Sequence, residues 1–354
     1  MNVLPRGANL RRMRTAAPWL LPTVLCVAAC GGPKGPIDGR RAMQHVEAMV
    51  ALGPRPFGSD ALGKAEDYIK GQLQTLGFDA KPVPTVDEKE KQTIRNLYVQ
   101  IDGQDPANGP ILVIGAHYDT KLTSGHADGA HNFPFVGAID GTGGPAVLLE
   151  LARVLKDPAA RPKCNVWLYW IDAEESIDWE WNKDRSLLGS RAFCKWLAST
   201  GTLKRVKAFV LLDLIGSKAM KIDRDGNSDA KLLDLFAKAA EKIGAKDRLY
   251  EFPTDLELAE CRRRGANWGT TDDHQNFTAF GVPSVLLIDF ARRIPPHLQP
   301  LQEGQQAIVD SRYEQWWHTP DDTTDAMDSD SLALAGDLVI AALPDLDAYV
   351  GGHK

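Results

Sequence analysis

The stretch LYWIDAEES, Leu168 to Ser176, runs apolar and aromatic and then ends in Asp172, Glu174 and Glu175. A buried strand that delivers acids to its tip needs something to hold like charges together. Comparable groups stand elsewhere along the chain. ILVIGA runs into His117 and Asp119, FVGAI into Asp140, AFVLL into Asp213, and a tryptophan pair into His318. Crowded carboxylates must be neutralised by protons or by a cation. A set of oxygen and imidazole ligands suits Zn²⁺, which takes three or four protein ligands and keeps a position open where it is catalytic. His117, Asp140, Glu175, Asp213 and His318 are the candidate ligands. The chain has no HExxH helix motif and no GxSxG elbow, which closes the commonest zincin and serine-hydrolase routes. GTGG (141–144) lacks the GxGxxG spacing and follows no strand directly, so it reads poorly as a phosphate cradle.

The elements that must position these residues are legible as an alternation. Strand-like runs at 96–101, 111–116, 165–171, 208–215 and 284–290 are separated by helix-like segments near 143–156, 187–199, 229–243 and 272–280. Several runs are apolar on both faces, the pattern of strands covered by helices on each side. The expected fold is α/β: a three-layer α/β/α sandwich around a central sheet that is mixed but mostly parallel. In open sheets of this kind ligands bind beyond the carboxyl ends of the strands. His117, Asp119, Asp172, Glu174, Glu175 and Asp213 all fall there. Upstream, an amphipathic helix is expected over about 39–51 and GPRPFGS (53–59) reads as a turn. Ser59 caps a second helix that Gly77 ends, and VDEKEKQ (86–92) reads as a solvated loop or hairpin turn.

At 354 residues, 44% hydrophobic and 25% charged, the composition is that of a globular chain able to bury a large core. The N-terminus reads as an export signal. Arginines precede the apolar PWLLPTVLCVAA (18–29), which is too short to span a bilayer comfortably. It ends in VAAC followed by glycines, which resembles a bacterial lipoprotein signal. The expected organisation is a signal peptide over 1–29 and lipidation at Cys30. A Gly/Pro-rich linker over 30–37 and a single catalytic domain over 38–354 follow. Ordinary secretory cleavage nearby is the alternative, and Arg11-Arg12 hints at twin-arginine export. Either way the expected location is exported, periplasmic or outer-membrane-anchored, with the lipid as the one membrane contact. Removing 1–29, which carries Arg6, Arg11, Arg12 and Arg14 and no acid, takes the net charge from -6 to -10. So acidic a surface argues against nucleic acid and anionic membranes as partners. Cys164, Cys194 and Cys261 form no CxxC pair and read as buried hydrophobes, not as a disulfide framework or a zinc finger.

AHYDTK (116–121), FVGAIDGTGGPAVLLELARVL (135–155), DAEES (172–176), SLLGSR (186–191), LLDLIGS (211–217), DDHQNF (272–277) with GVPSVLLID (281–289), and WWHTPDD (316–322) follow one another along the chain. This succession resembles the M28 zinc-peptidase superfamily over about residues 40–345, and within it the glutaminyl-peptide cyclotransferase (glutaminyl cyclase) branch. Two features favour that branch: the inserted SIDWEWNKDR (176–185), and Asp272 ahead of the Asp-His pair where the peptidases carry serine. The resemblance implies one zinc ion held by Asp140, Glu175 and His318, with Glu174 carrying protons. Asp213 and Asp272 would share a hydrogen bond and hold the leaving nitrogen. Trp317, with Trp179 or Trp181, would wall a small apolar pocket. The implied substrates are peptide or protein N-termini bearing Gln, closed to pyroglutamate with loss of ammonia. The alternative it carries is a two-zinc aminopeptidase, with His117 and Asp213 on a second ion, Asp140 bridging and Glu174 activating water. A binding domain without catalysis fits poorly, since every ligand and the base are intact.

The sequence also departs from the animal cyclases. Ala116 and Pro145 stand where those carry bridging cysteines, Leu286 where they carry a histidine, and the stretch 291–315 is long. Plainer readings stand beside the functional ones. Asp140 precedes an apolar helix and could cap it. His318 adjoins TPDD, whose acids could orient it. His126 and His131 sit in a Gly-containing loop and read as exposed, and His274 could brace Asp272. His45, His297 and His353 are given no metal role. The tryptophans read equally well as core.

Overall fold

Six strands form one sheet in the order β1-β2-β4-β3-β5-β6. They are β1 (Lys81–Asp87), β2 (Gln92–Ile101), β3 (Ile111–His117), β4 (Asn165–Ile171), β5 (Val206–Asp213) and β6 (Ser284–Ile288). β4, β3, β5 and β6 run parallel, while β1 and β2 pair antiparallel at one side. The sheet is thus mixed and mostly parallel. This computed structural model describes residues 35–218, 220–249, 269–290 and 316–352, with the backbone of 259, 292–293 and 310–311. They lie in one compact unit, Pro33–Lys354. The signal over 1–29, Cys30, most of the linker, Cys261, His297, His353 and most of 291–315 fall outside the described residues.

The helices are α1 (Gly39–Val50), α2 (Asp60–Thr75), α3 (Gly144–Leu155), α4 (Leu188–Ser199), α5 (Ala230–Lys242), α6 (His274–Ala279) and α7 (Ser329–Gly352). α1, α3, α5 and α7 pack on one another, while α4 and α6 pack together. The period-2 alternation of β4 shows how one strand serves both layers. Tyr169 stacks on Phe193 of α4 at 4.0 Å between ring centroids. Its neighbour Trp170 turns the other way and donates its indole N–H to the Pro145 carbonyl in α3 at 3.3 Å. Phe209 of β5 and Phe277 of α6 extend the first seam, stacked at 3.8 Å. Every residue of β3 and β4 is buried, as the two-faced apolar runs require.

Local chemistry sets the element ends. The Asp38 carboxylate accepts the N–H groups of Arg40 and Arg41, and the Ser59 hydroxyl accepts that of Leu62 at 3.2 Å. Gly77, at φ +84°, ends α2, because a left-handed residue costs glycine no Cβ clash. The charged VDEKEKQ segment is the hairpin between β1 and β2, as one of its two readings had it. Two of these elements, β1 and α7, are absent from the sequence expectations. β1 carries Pro82 and Pro84, which disfavour a strand reading except at a sheet edge, where β1 lies. α7, the longest helix at 24 residues, contains Pro344 and is apolar around much of its circumference, because it packs against α1, α3, α5 and β3.

Candidate active site

The carboxyl ends of β3, β4 and β5 open onto a cavity of ≈ 320 Å³. Asp140, Glu174, Glu175, Asp213, Asp272, His318, Trp179, Trp181 and Trp317 all line it. Five stretches from distant parts of the sequence therefore meet at one rim, with the 176–185 insert and Trp317 as aromatic walls. Both Trp179 and Trp181 face the cavity, so the choice between them left open by the sequence falls to both. Trp181 is 49% exposed and Trp317 36%, which places them at the mouth.

Donor atoms of Asp140, Glu175 and His318 lie within 4.8 Å of one another. The Nε2 atom of His318 is 3.1 Å from Glu175 Oε2 and 3.5 Å from Asp140 Oδ2. Asp140 Oδ2 is buried and has no hydrogen-bond partner, an expensive arrangement for a carboxylate unless a cation completes it. The protein's own groups leave the two acids unequal. Burial and the neighbouring Glu175 raise Asp140 to about 6, against the pull of His117 and His318. Burial also works against ionised Glu175, but His318, Lys121 and His117 outweigh it and bring that carboxyl down to about 2. One imidazole, two convergent carboxylates and an orphaned oxygen fit a divalent ion. A second group, His117, Asp140 and Asp213, also converges within 4.8 Å. There His117 Nε2 is 3.1 Å from Asp140 Oδ1 and 3.0 Å from Asp213 Oδ1. Burial opposes a charged His117, yet Asp119, Asp140 and Asp213 outweigh it and hold its pKa well above the ordinary value.

Glu174 lies beside this set. Burial raises its carboxyl well above the usual range; His117 opposes that, while Glu175, Asp272 and Asp273 reinforce it. Asp272 is raised too, by burial and then by Asp213. Its Oδ1 accepts the Asp273 amide at 2.5 Å, and its Oδ2 is offered no donor. Both influences favour the protonated form of Asp272, the direction in which close acids coexist.

The backbone is bent to achieve this. Ala173, Leu214 and His318 have φ of 55°, 50° and 52°, a region that side-chain-bearing residues avoid and that strained sites collect. Ala173 immediately precedes Glu174, and Leu214 immediately follows Asp213. Asp140 sits in a kink, with Gly141 at φ 100°, and α3 starts only at Gly144 after the cap Gly143. The N-cap reading of Asp140 is therefore wrong. A Cβ on Gly141 would come within 2.2 Å of the Asp119 carbonyl oxygen, so the glycine-rich run serves close backbone packing.

Several supporting groups carry no role in the sequence reading. Asp119 accepts the amides of both Glu174 and Glu175 at 3.2 Å, fixing the adjacent acids from behind. Arg55, within the segment read only as a turn, is fully buried. Its guanidinium donates to the carbonyls of Met49, Gly53, Tyr118, Val136 and Gly137. Burial lowers it to about 10, with Asp119, Asp322 and Asp140 holding it up. Asp322 accepts the amides of Ile139 at 2.7 Å and Asp140 at 3.0 Å. The TPDD acid thus fixes Asp140, not His318 as the sequence suggested. His274 turns to Asp225, 3.5 Å away, and not to Asp272. His131 is half-buried and stacks on Trp179, contrary to its exposed reading. The spacing of Asp119 from His117 was a visible signal; for Arg55 and Asp322 only long-range folding reveals the target.

Asp322→Ala is expected to destabilise the fold by about 2–5 kcal/mol, because two buried amides lose their acceptor. It should also weaken metal binding by about 10–100-fold through the loosened Asp140. Thermal unfolding and metal titration check the two effects separately, and unchanged metal affinity would refute the positioning role.

Comparison with known proteins bears on this geometry. Residues 96–343 match the model of peptidase family M28. The Drosophila melanogaster protein named glutaminyl-peptide cyclotransferase is 28% identical over 304 residues, 79% of this chain and 75% of that one. The crystal structure of an Acidobacteriales bacterium glutaminyl cyclase is similar at a TM-score of 0.69 and 28% identity, covering 90% of this chain and 98% of that one. A leucine aminopeptidase precursor from Bacteroides thetaiotaomicron is similar at a TM-score of 0.66 and 20% identity, over 92% of this chain and 100% of that one. At that identity the likeness is one of fold.

Proposed function

The chain belongs to peptidase family M28, and from that premise we propose that it is a zinc-dependent glutaminyl cyclase. It converts the N-terminal Gln of peptides and proteins to pyroglutamate and releases ammonia. The observation that carries the reading is the pairing of two carboxyls, Glu174 and Asp272, in one cavity with the metal-ligand set, where burial raises the proton affinity of both. By the resemblance, Asp272 stands where the peptidases typically carry serine. The relatives named as cyclotransferases and cyclases support it.

Asp140, Glu175 and His318 would hold a single zinc ion, which supplies Lewis-acid polarisation of the substrate γ-carbonyl. Trp179, Trp181 and Trp317 enclose the glutamine side chain and fold it for ring closure, so that the free α-amine reaches its own γ-carbon. A bond forms between those atoms, and Glu174 takes the proton that the amine sheds. Glu174 then returns that proton to the γ-nitrogen as the carbon–nitrogen bond breaks and ammonia departs. Asp213 and Asp272 hold the leaving nitrogen. No water is consumed, so walls that exclude solvent serve the reaction.

A second reading, a two-zinc aminopeptidase, draws on the convergence of His117, Asp140 and Asp213. Metal content per chain, with ammonia release from a Gln-initiated peptide and cleavage of a Leu-initiated one, separates the two. One zinc and ammonia without cleavage is the expected result; two zinc ions with cleavage would replace the cyclase assignment. We further propose that the protein is exported and anchored through acylated Cys30, which intact-mass analysis of the membrane-extracted protein checks. Among the described residues no helix is long and apolar enough to cross a membrane.

A further inference from the structure

The wall that Trp179 gives the cavity leans on residues outside it. Around Trp179 the insert's backbone is fixed without help from the indole. The buried Lys121 ammonium donates to the Ser176 and Asp178 carbonyls at 2.6 and 2.8 Å, and the Ile177 amide bonds to the Arg185 carbonyl at 3.0 Å. The indole itself faces the Lys121 ammonium, 6.0 Å from its ring centroid, and three imidazole rings. His131 stacks on it at 4.0 Å and 18°, His126 is tilted against it at 5.1 Å, and His318 lies at 6.1 Å on the site side. His131 is held firmly in turn. Its amide bonds to the Asp128 carbonyl at 3.0 Å, and the Asp128 carboxylate accepts the Ala130 amide at 2.9 Å. Gly125 donates to Asn132 Oδ1 at 2.9 Å, closing the loop on itself.

We propose that His131 is a positioning residue: its ring, stacked on the outer face of Trp179, holds the indole as a wall of the cavity and so sets how tightly the substrate's N-terminal residue is bound. The identity of that substrate rests on the cyclase reading; the bracing does not. Stacking has this effect because a half-buried indole has alternative rotamers, and an offset aromatic pair selects one of them.

The test combines kinetics with a spectroscopic readout. With a Gln-initiated peptide, H131A should raise KM about two- to tenfold, the range carried by an aromatic pair, and leave kcat within about twofold. H131F should restore KM, since it keeps the stacking and loses the imidazole. In a W179A background, H131A should add nothing, as expected for residues that act as one unit. Independently, the protein labelled with 5-fluorotryptophan has a ¹⁹F resonance from Trp179, identified by its loss in W179F. That resonance should shift or split in H131A. An unchanged KM in H131A, an H131F no better than H131A, or an unmoved resonance would each overturn the proposal. If the wild-type protein releases no ammonia, the cyclase reading falls and the fluorine resonance alone decides the bracing.

Discussion

Glu174→Gln is expected to lower turnover by about 10²–10⁴-fold, the contribution of a positioned proton-transfer group, while the metal content stays that of the wild type. The change is nearly isosteric. The Glu174 amide remains on Asp119, and Glu174 is not among the atoms that converge with His318. Burial and its acidic neighbours raise this carboxyl's affinity for a proton, which a base needs and a neutral amide of the same shape lacks. What is lost is the capacity to take a proton from the attacking amine and deliver it to the departing nitrogen. Steady-state ammonia release, measured beside metal analysis and thermal unfolding, reads all three consequences. Turnover near the wild-type level would remove Glu174 from the mechanism.

Glu175→Ala is expected to do the opposite: turnover disappears because the ion is lost. The Glu175 carboxylate is the most firmly ionised acid of the ligand set, and removing it leaves Asp140 and His318 without their third partner. Zinc affinity should fall by at least about 100-fold, the upper end of what losing even an outer supporting group costs. Binding can be read without activity. A metal that binds only the folded protein raises its melting temperature, so zinc added to the chelator-treated wild type should raise Tm while the variant should not respond. A variant that keeps its zinc would dismantle the proposed ligand set. The adjacent glutamates are thereby distinguishable: one substitution spares the ion and stops the chemistry, the other stops both.

Both substitutions address residues that could be picked out from the sequence, and the reason lies in how each is encoded. Glu174 and Glu175 follow an uninterrupted apolar strand, Asp213 ends another, and His318 stands beside a tryptophan pair. Strand ends are local signals, and the rule that sites gather at carboxyl ends of parallel strands turns them into a place. The groups that hold them were not legible in the same way. Asp322 reaches 182 residues back to the Asp140 amide, and Arg55 reaches 82 residues forward to the Gly137 carbonyl. Neither partnership leaves a periodicity. The fold shows the same division. β3 and β4 are apolar throughout, whereas α7 hides its amphipathic pattern because several neighbours bury it. Adjacency offers Asp272 as a partner for His274, but the turn of α6 carries it to Asp225.

The prolines of β1 have a consequence for the protein's behaviour in a crowd. Along an antiparallel strand, residues of one parity direct their N–H groups to the same side, and Pro82 and Pro84 share a parity. Since β1 stays paired with β2 along its length, the donors they lack are those that would face outward. A stray polypeptide trying to zip onto this border finds consecutive gaps where it needs hydrogen bonds, although Val86 is 55% exposed and would otherwise invite it. So large an apolar sheet can therefore end in solvent on this side without seeding fibrils.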